Sequence, residues 1–296
     1  MKRLLPFFLV VLVLLATASA QYKYTTPNCP GMNVTNLFSI NNNGTITGSY
    51  YTDSDPLWHP MVIKGGRCIA LLPESILGQK FGYAFQVNDR SDVVGVFYDD
   101  GFFAGRAHGF LVDKHGVLTI IDFPSADGTG AWGISASGTI VGWWYVTDSD
   151  GNLVFEHGFI LKDGVFSEVI FPGPYITQLG QINARGDIIG TGIDTTNGIG
   201  HGFVYSHGVF TELLTPPPAI GEAPMGINDK GVMVGQYLDQ DYNLHGFLKA
   251  GSAYTTMDYP GAAGTGVNAI NNAGQMVGAY LDGDYNWHGY LVEKTK

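Results

Sequence analysis

Three loops in the chain carry acidic side chains at alternate positions: DSDGN (148–152), DQDYN (239–243) and DGDYN (282–286), with a shorter DSD at 53–55. Oxygens spaced this way can converge on one hard cation, and calcium loops of the helix-flanked kind begin so. Such a loop also needs glycine at its sixth position and glutamate at its twelfth. After Asp239 those places hold Leu244 and Ala250, and after Asp282 they hold Trp287 and Lys294. Asp and Asn also form ordinary turns, so the loops read as polar turns with calcium as the alternative, and no metal ligand is assigned. Aromatic rings crowd the same loops. A flat ring beside a carboxylate suits a sugar or a cationic group. The candidate ligand-binding residues are therefore Trp58, Trp144, Tyr145, Tyr242, Tyr285 and Trp287, with Asp148, Asp150, Asp241 and Asp284. Successive strand residues point to opposite faces, so some of these rings are expected to pack inside the fold.

Histidine, serine and the remaining carboxylates were weighed for catalysis. Six of the eight histidines, His59, His108, His157, His201, His245 and His288, recur at one position of a repeating phrase. A catalytic histidine is usually singular, so His108, His157, His201, His245 and His288 read as structural hydrogen-bonding residues. GISASG (133–138) resembles a strained nucleophile elbow, but its fifth residue is Ser137 rather than glycine and no helix follows. Glycoside hydrolysis generally needs two carboxyl groups about 5–10 Å apart. Glu222 and Asp127 are singular acidic residues, yet no pair stands out, and no catalytic residue is assigned.

The elements that must position these loops follow from internal repetition. One anchor recurs as SINNNGTITG (39–48), QVNDRSDVVG (86–95), GISASGTIVG (133–142), QINARGDIIG (181–190), GINDKGVMVG (226–235) and AINNAGQMVG (269–278). Its closing glycines, Gly48, Gly95, Gly142, Gly190, Gly235 and Gly278, are spaced 43 to 48 residues apart. The histidine anchor follows as His-Gly-Phe or His-Gly-Tyr, except for His59-Pro60-Met61. Each unit reads as four short strands, A to D, with Asn/Gly corners that accept left-handed backbone angles. Four strands in about 45 residues, repeated, is the signature of a propeller blade. The composition agrees: 42 Gly and only 14% charged residues suit short strands better than long helices. The last unit stops after strand C, at HGYLVEKTK, and residues 22–31 (YKYTTPNCPG) form a strand D with nothing before it. They match AYTTMDYPG (253–261) in register. The expected fold is an all-β, six-bladed β-propeller over 21–296, its N-terminal strand completing the last blade. Pro27 falls within that strand and is tolerated at an edge. The B–C and D–A loops then share one acidic, aromatic face. Cys29 and Cys68 are the only cysteines. Export favours a bridge, but the register puts them on outer strands of adjacent blades, which diverge beyond the roughly 7 Å that a bridge allows. Their pairing stays open.

Residues 1–20 begin with Lys2 and Arg3, run apolar and end Ala18-Ser19-Ala20, the pattern of a secretory signal. Its removal takes away two basic residues and no acidic one, moving the net charge from −11 to −13. Such a chain is repelled by phosphate backbones and anionic lipid, so nucleic acid and membrane partners are not expected. The protein is expected to be secreted, or periplasmic, and monomeric. The INNxGxIVG, HGF and YTTxDxPG phrases resemble the HAF repeat, a family of extracellular repeat proteins. That resemblance covers nearly all of the mature chain and implies export and a repeat fold, with no activity attached. The functional expectation is a non-catalytic binding or scaffold module whose loop face takes a glycan, a peptide or another extracellular protein, without cofactor. The alternative is a glycan-active hydrolase or lyase with its site at the mouth of the central channel.

Overall fold

In a computed structural model, residues 22–72, 81–99, 105–213 and 219–295 are described, and the expected signal segment at 1–20 lies outside them. The described residues form six four-stranded antiparallel sheets and no helix. Blade 1 comprises β2 (Asn33–Ile40), β3 (Ile46–Thr52), β4 (Asp55–Lys64) and β5 (Arg67–Ala70). Blades 2 to 5 follow the same order, from β6 (Gly82–Val87) to β21 (Ala253–Thr256). Blade 6 takes three strands from the C-terminal end, β22 (Gly264–Ile270), β23 (Met276–Leu281) and β24 (Trp287–Lys294). Its outer strand is β1 (Tyr22–Thr25), paired antiparallel with β24 from Tyr22↔Lys294 to Thr25↔Leu291. The fold is a six-bladed β-propeller closed by its N-terminal strand.

Two details differ from the sequence reading. The closing strand ends at Thr25, so Pro27 lies beyond it. Cys29 therefore sits not on an outer strand but in the crossing to blade 1, buried beneath β5. There it is bonded to Cys68, with Cα atoms 5.6 Å apart.

The repeated phrases have separate physical tasks. In His-Gly-Phe, the aromatic residue is the centre of its own blade: Phe110, Phe159, Phe203, Phe247 and Tyr290 are fully or almost fully buried. Each such burial stabilises by about 1.5–3 kcal/mol. The closing glycine of strand B makes room for it. A Cβ on Gly142 would overlap the carbonyl oxygen of Gly130 and touch the Phe159 ring. The glycine of His-Gly-Phe is a socket for the neighbouring blade: the sites where a Cβ would stand on Gly158, Gly246 and Gly289 are already occupied by Leu179, Val267 and Leu37.

The asparagine of the first anchor does more than turn the chain. In Asn271, Oδ1 accepts the N–H groups of Ala273 and Gln275, both at 3.0 Å, shaping the A–B corner. Its Nδ2 donates to the Asn41 carbonyl of the next blade at 3.2 Å. The same inter-blade bond runs from Asn41 to the Asn88 carbonyl (2.9 Å), from Asn88 to Ser135 (3.1 Å), from Asn183 to Asn228 (3.2 Å) and from Asn228 to Asn271 (3.2 Å). One link of six is missing, between blades 3 and 4, because Ser135 has no amide. Its hydroxyl accepts from Thr139 N–H at 3.0 Å and so keeps only the corner. Removing the Asn271 amide takes away its inter-blade bond and the acceptor for the Ala273 and Gln275 N–H groups, at a cost of about 1–3 kcal/mol, whereas a new bond gains about 0.5–1.5 kcal/mol. Denaturant unfolding should accordingly show Asn271→Ala destabilised by about 1–3 kcal/mol and Ser135→Asn stabilised by about 0.5–1.5 kcal/mol. A neutral Asn271→Ala would mean that the belt does not hold the ring together.

Candidate functional site

Residues of the strands surround a basin of about 660 Å3 at one mouth of the central axis. Three repeat positions supply its walls. On strand A, the residue three before the anchor asparagine faces the basin: Phe38, Phe85 and Trp132 in blades 1 to 3 and Asn268 in blade 6. On strand B it is the residue after the closing glycine, including Ser49, Trp143, Gln236 and Ala279. On strand C it is the residue before the histidine, including Trp58, Glu156, Leu244 and Trp287. The result is lopsided. Blades 1 to 3 build an aromatic arc in which Phe85 and Trp132 stack at 4.3 Å and 2°, and Trp143 and Tyr145 stack at 6.0 Å and 20°.

Beside these rings, directly opposite Tyr145 on the neighbouring strand of blade 3, Glu156 Oε1 accepts a bond from Gln178 Nε2 at 2.7 Å. Burial pushes the Glu156 carboxyl above its ordinary range, against the stabilising bond from Gln178. The floor is polar. Gln86 Nε2 donates to the Ile182 carbonyl at 3.0 Å while its Oε1 accepts from Ile134 N–H at 2.9 Å. Gln181 Nε2 donates to the Phe38 carbonyl at 2.8 Å. The Gln181 bond joins blades 4 and 1, which stand opposite each other, and the Gln86 bonds tie blade 2 to blades 3 and 4, so polar side chains cross the axis beneath the basin.

The sequence candidates fall in several places. Trp58, Tyr145 and Trp287 line the basin. Tyr242 edges a second lobe of about 670 Å3 over blades 4 and 5. Tyr285 stands on the rim, 77% exposed. Trp144 points the other way and is only 8% exposed, stacked on Phe123 at 4.1 Å. Its neighbour Trp143 faces the basin instead. Repetition explains the difference. The residue after the basin-facing one is aromatic in five blades, as Tyr50, Phe97, Trp144, Tyr237 and Tyr280, and in each it packs against the blade's histidine with ring centroids 5.1 to 5.9 Å apart. Trp144 is the repeated residue and Trp143 the singular one. The same test would have found Phe85, Trp132, Glu156 and Gln178, which the loop-centred sequence reading missed.

The acidic loops are braced from within. Asp148, Asp239 and Asp282 each accept two backbone N–H bonds at 2.9 Å through Oδ1, from the residues two and four further on. A bond from the Asn243 side chain, then its N–H, holds Asp239 down at about 2; the Asn286 N–H, then His288, does the same for Asp282. A hard cation would have to compete with these bonds. Asp150, Asp241 and Asp284 are exposed on the loops and do not line the basin. Among the described residues, no group of three or more His, Cys, Asp or Glu is gathered as a metal site.

The histidines clamp strand C to neighbouring carboxylates. His108 Nδ1 meets Asp122 and Nε2 meets Asp99, both at 3.0 Å; His245 meets Asp258 at 2.8 Å and Asp239 at 3.2 Å. His157 meets Glu168 at 2.7 Å, His201 meets Glu212 at 3.0 Å and His288 meets Asp282 at 2.7 Å. Burial works against the charged form of His245, but the Asp258 and Asp239 bonds outweigh it and the imidazole is raised. Of the two singular carboxylates, Asp127 braces Thr147 N–H at 2.7 Å. Glu222 is 3% exposed, accepts from Tyr254 Oη at 3.2 Å, and has no partner for Oε1 among the described residues.

No protein-family model and no curated protein matches the sequence. Solved structures share the fold. The fucose-specific lectin from Aleuria aurantia superimposes with a TM-score of 0.53 at 8% identity, over 92% of this chain and 99% of that one. The Arthrobotrys oligospora protein AofleA gives 0.53 at 11% identity, over 92% and 86%. A prolyl endopeptidase gives 0.53 at 12% identity, over 85% of this chain and 40% of that one, so this chain spans less than half of that protein. These likenesses extend to the propeller fold and no further.

The raised Glu156 carboxyl makes a pH signature. Its proton is held more tightly in the folded state, so its contribution to stability is fully present below the ordinary glutamate value of 4.5 and is lost as pH rises through the raised value. Melting curves between pH 4 and 8 should therefore show a decline that is shallower in Glu156→Gln. Parallel curves for the two proteins would contradict the shift.

Proposed function

We propose that this protein is an exported, non-catalytic binding module whose central basin receives carbohydrate. One observation carries the reading: the aromatic arc of Phe85, Trp132, Trp143 and Tyr145 runs up to the Glu156–Gln178 pair above a polar floor. Aromatic faces cover the apolar side of a sugar ring, while a carboxyl and an amide bond its hydroxyls; such a mix of apolar walls and few convergent polar groups is the general form of a ligand site. A fucose-specific lectin uses the same kind of frame. The signal segment and the resemblance to HAF-repeat proteins support export.

The hydrolase reading has one observation in its favour. A buried carboxyl with a raised pKa is what a general acid requires. It also requires a second carboxyl about 5–10 Å away; Glu156 is the one carboxylate among the described residues lining the central lobe, and Glu222, bonded to Tyr254, lines the second lobe instead. The arrangement favours holding a sugar over cleaving it.

A glycan array run beside a panel of glycosidase and lyase substrates tests the choice. Binding without turnover is expected, and rapid turnover of any polysaccharide would reverse the assignment. Trp132→Ala should weaken the selected glycan at least tenfold, as loss of a central aromatic anchor typically does, whereas Trp144→Phe should leave affinity unchanged.

A further inference from the structure

The central basin is not the whole cavity. The second lobe, about 670 Å3 in volume, shares Trp132, Gln178, Gln236 and Leu244 with the first, so the two adjoin along these side chains. The lobe exists because blade 4 departs from blade 3. Where blade 3 carries Trp143 and Tyr145, blade 4 carries Thr191 and Ile193. On strand A, Gly180 stands where blades 1 to 3 have Phe38, Phe85 and Trp132, and ahead of the blade's histidine Gly200 stands where blade 3 has Glu156. These replacements lower the wall on one side only and turn a round basin into a trough running over blades 4 and 5.

At the outer edge of that trough stands Tyr242, 74% exposed. Its backbone has φ +63°, a left-handed conformation that large side chains adopt at a cost. The matching residue of the blade 3 loop is Gly151, with φ +83°, which bears no such cost. The turn by itself calls for glycine, and a tyrosine kept there displays its ring toward solvent beside the lobe. Neither lobe has a lysine or arginine among its described lining residues. With a net charge of −11 on the chain, polyanions are disfavoured.

Resting on the carbohydrate reading, we propose that the ligand is an extended, neutral oligosaccharide chain. One end stacks in the central basin on Trp132. The chain then passes over the lowered wall of blade 4, and its outer sugars lie on Tyr242. Binding strength should therefore grow with chain length, and the growth should depend on a residue remote from the central arc.

Calorimetric titration with gluco-, xylo- and manno-oligosaccharides of two to six residues, and with oligogalacturonate as the charged counterpart, tests this. For a neutral series that binds, affinity is expected to rise about tenfold or more from disaccharide to hexasaccharide, the scale of one added anchor contact. Tyr242→Gly should lower hexasaccharide affinity about fivefold or more and leave the disaccharide within about twofold, since only the longer chain reaches this anchor. Because glycine suits the left-handed turn, the melting temperature should hold or rise, which separates loss of the platform from loss of fold. Affinity independent of length, equal losses for short and long chains, or preference for oligogalacturonate would overturn the trough while leaving a carbohydrate basin in place. Absence of binding to every sugar, on the array as well, would remove the carbohydrate reading and this inference together.

Discussion

A propeller has no hub. Its inner strands surround an axis they cannot fill, and neighbouring blades meet through side chains rather than through sheet hydrogen bonds. Something must therefore fix each blade against the next. Here the anchor asparagine meets that need with both ends of its amide. The oxygen receives the N–H groups of its own corner, and the nitrogen reaches the carbonyl of the following blade, as Asn271 does to Asn41 across the closure. Few side chains can do both: a serine hydroxyl shapes the corner at Ser135 and leaves the inter-blade link unmade. The belt lies at the mouth opposite the ligand face, so it fixes the angular spacing of the blades without occupying the basin.

That division runs through the whole repeat. Residues that recur are committed to the frame: the closing glycine, the buried strand C aromatic, the glycine socket beside it, the histidine clamp and the aromatic that packs on it. Residues that differ from blade to blade at one position face the axis. Because a strand alternates, frame and site interleave at every second residue. A tryptophan pair such as Trp143-Trp144, both 8% exposed, is thus divided between the two, one ring lining the basin and the other stacked on Phe123. Chemical specificity can change at the axis-facing positions without disturbing the packing that keeps the ring closed.

The electrostatics follow the same plan. Asp148, Asp239 and Asp282 are held in loops, where side-chain and backbone bonds from asparagine, with a histidine for Asp239 and Asp282, favour the charged form. The carboxyls of Glu156, half-buried, and Glu222, buried, depart from this pattern and are shifted upward by desolvation. Glu222 occupies a place held by Thr129, Thr177 and Thr265 in other blades, where the hydroxyl accepts the N–H of Phe123, Phe171 or Tyr259. The residue at the matching offset before Glu222 is Pro216, which carries no N–H for a threonine to receive.

The period, the strand order and the closure by the N-terminal segment were legible in the sequence because they depend on local repetition: turn chemistry, alternation and a missing outer strand are all written in linear order, although the strand itself stops at Thr25 rather than running through residue 31. The common face of the B–C and D–A loops follows from strand count alone. Which rings line the basin was not legible, since that depends on the parity of each strand at the axis and on the bulges between strands A and B, such as the shift at Ala131/Gly133. A single register step exchanges buried for presented side chains. The Cys29–Cys68 bond was hidden for a similar reason: it hinges on where β1 stops and how the crossing lies beneath β5. Sequence determined how many blades there are and how they close, and only the packing of six blades about one axis decided that Trp132, Trp143, Glu156 and Gln178, from adjacent blades, meet in one cavity.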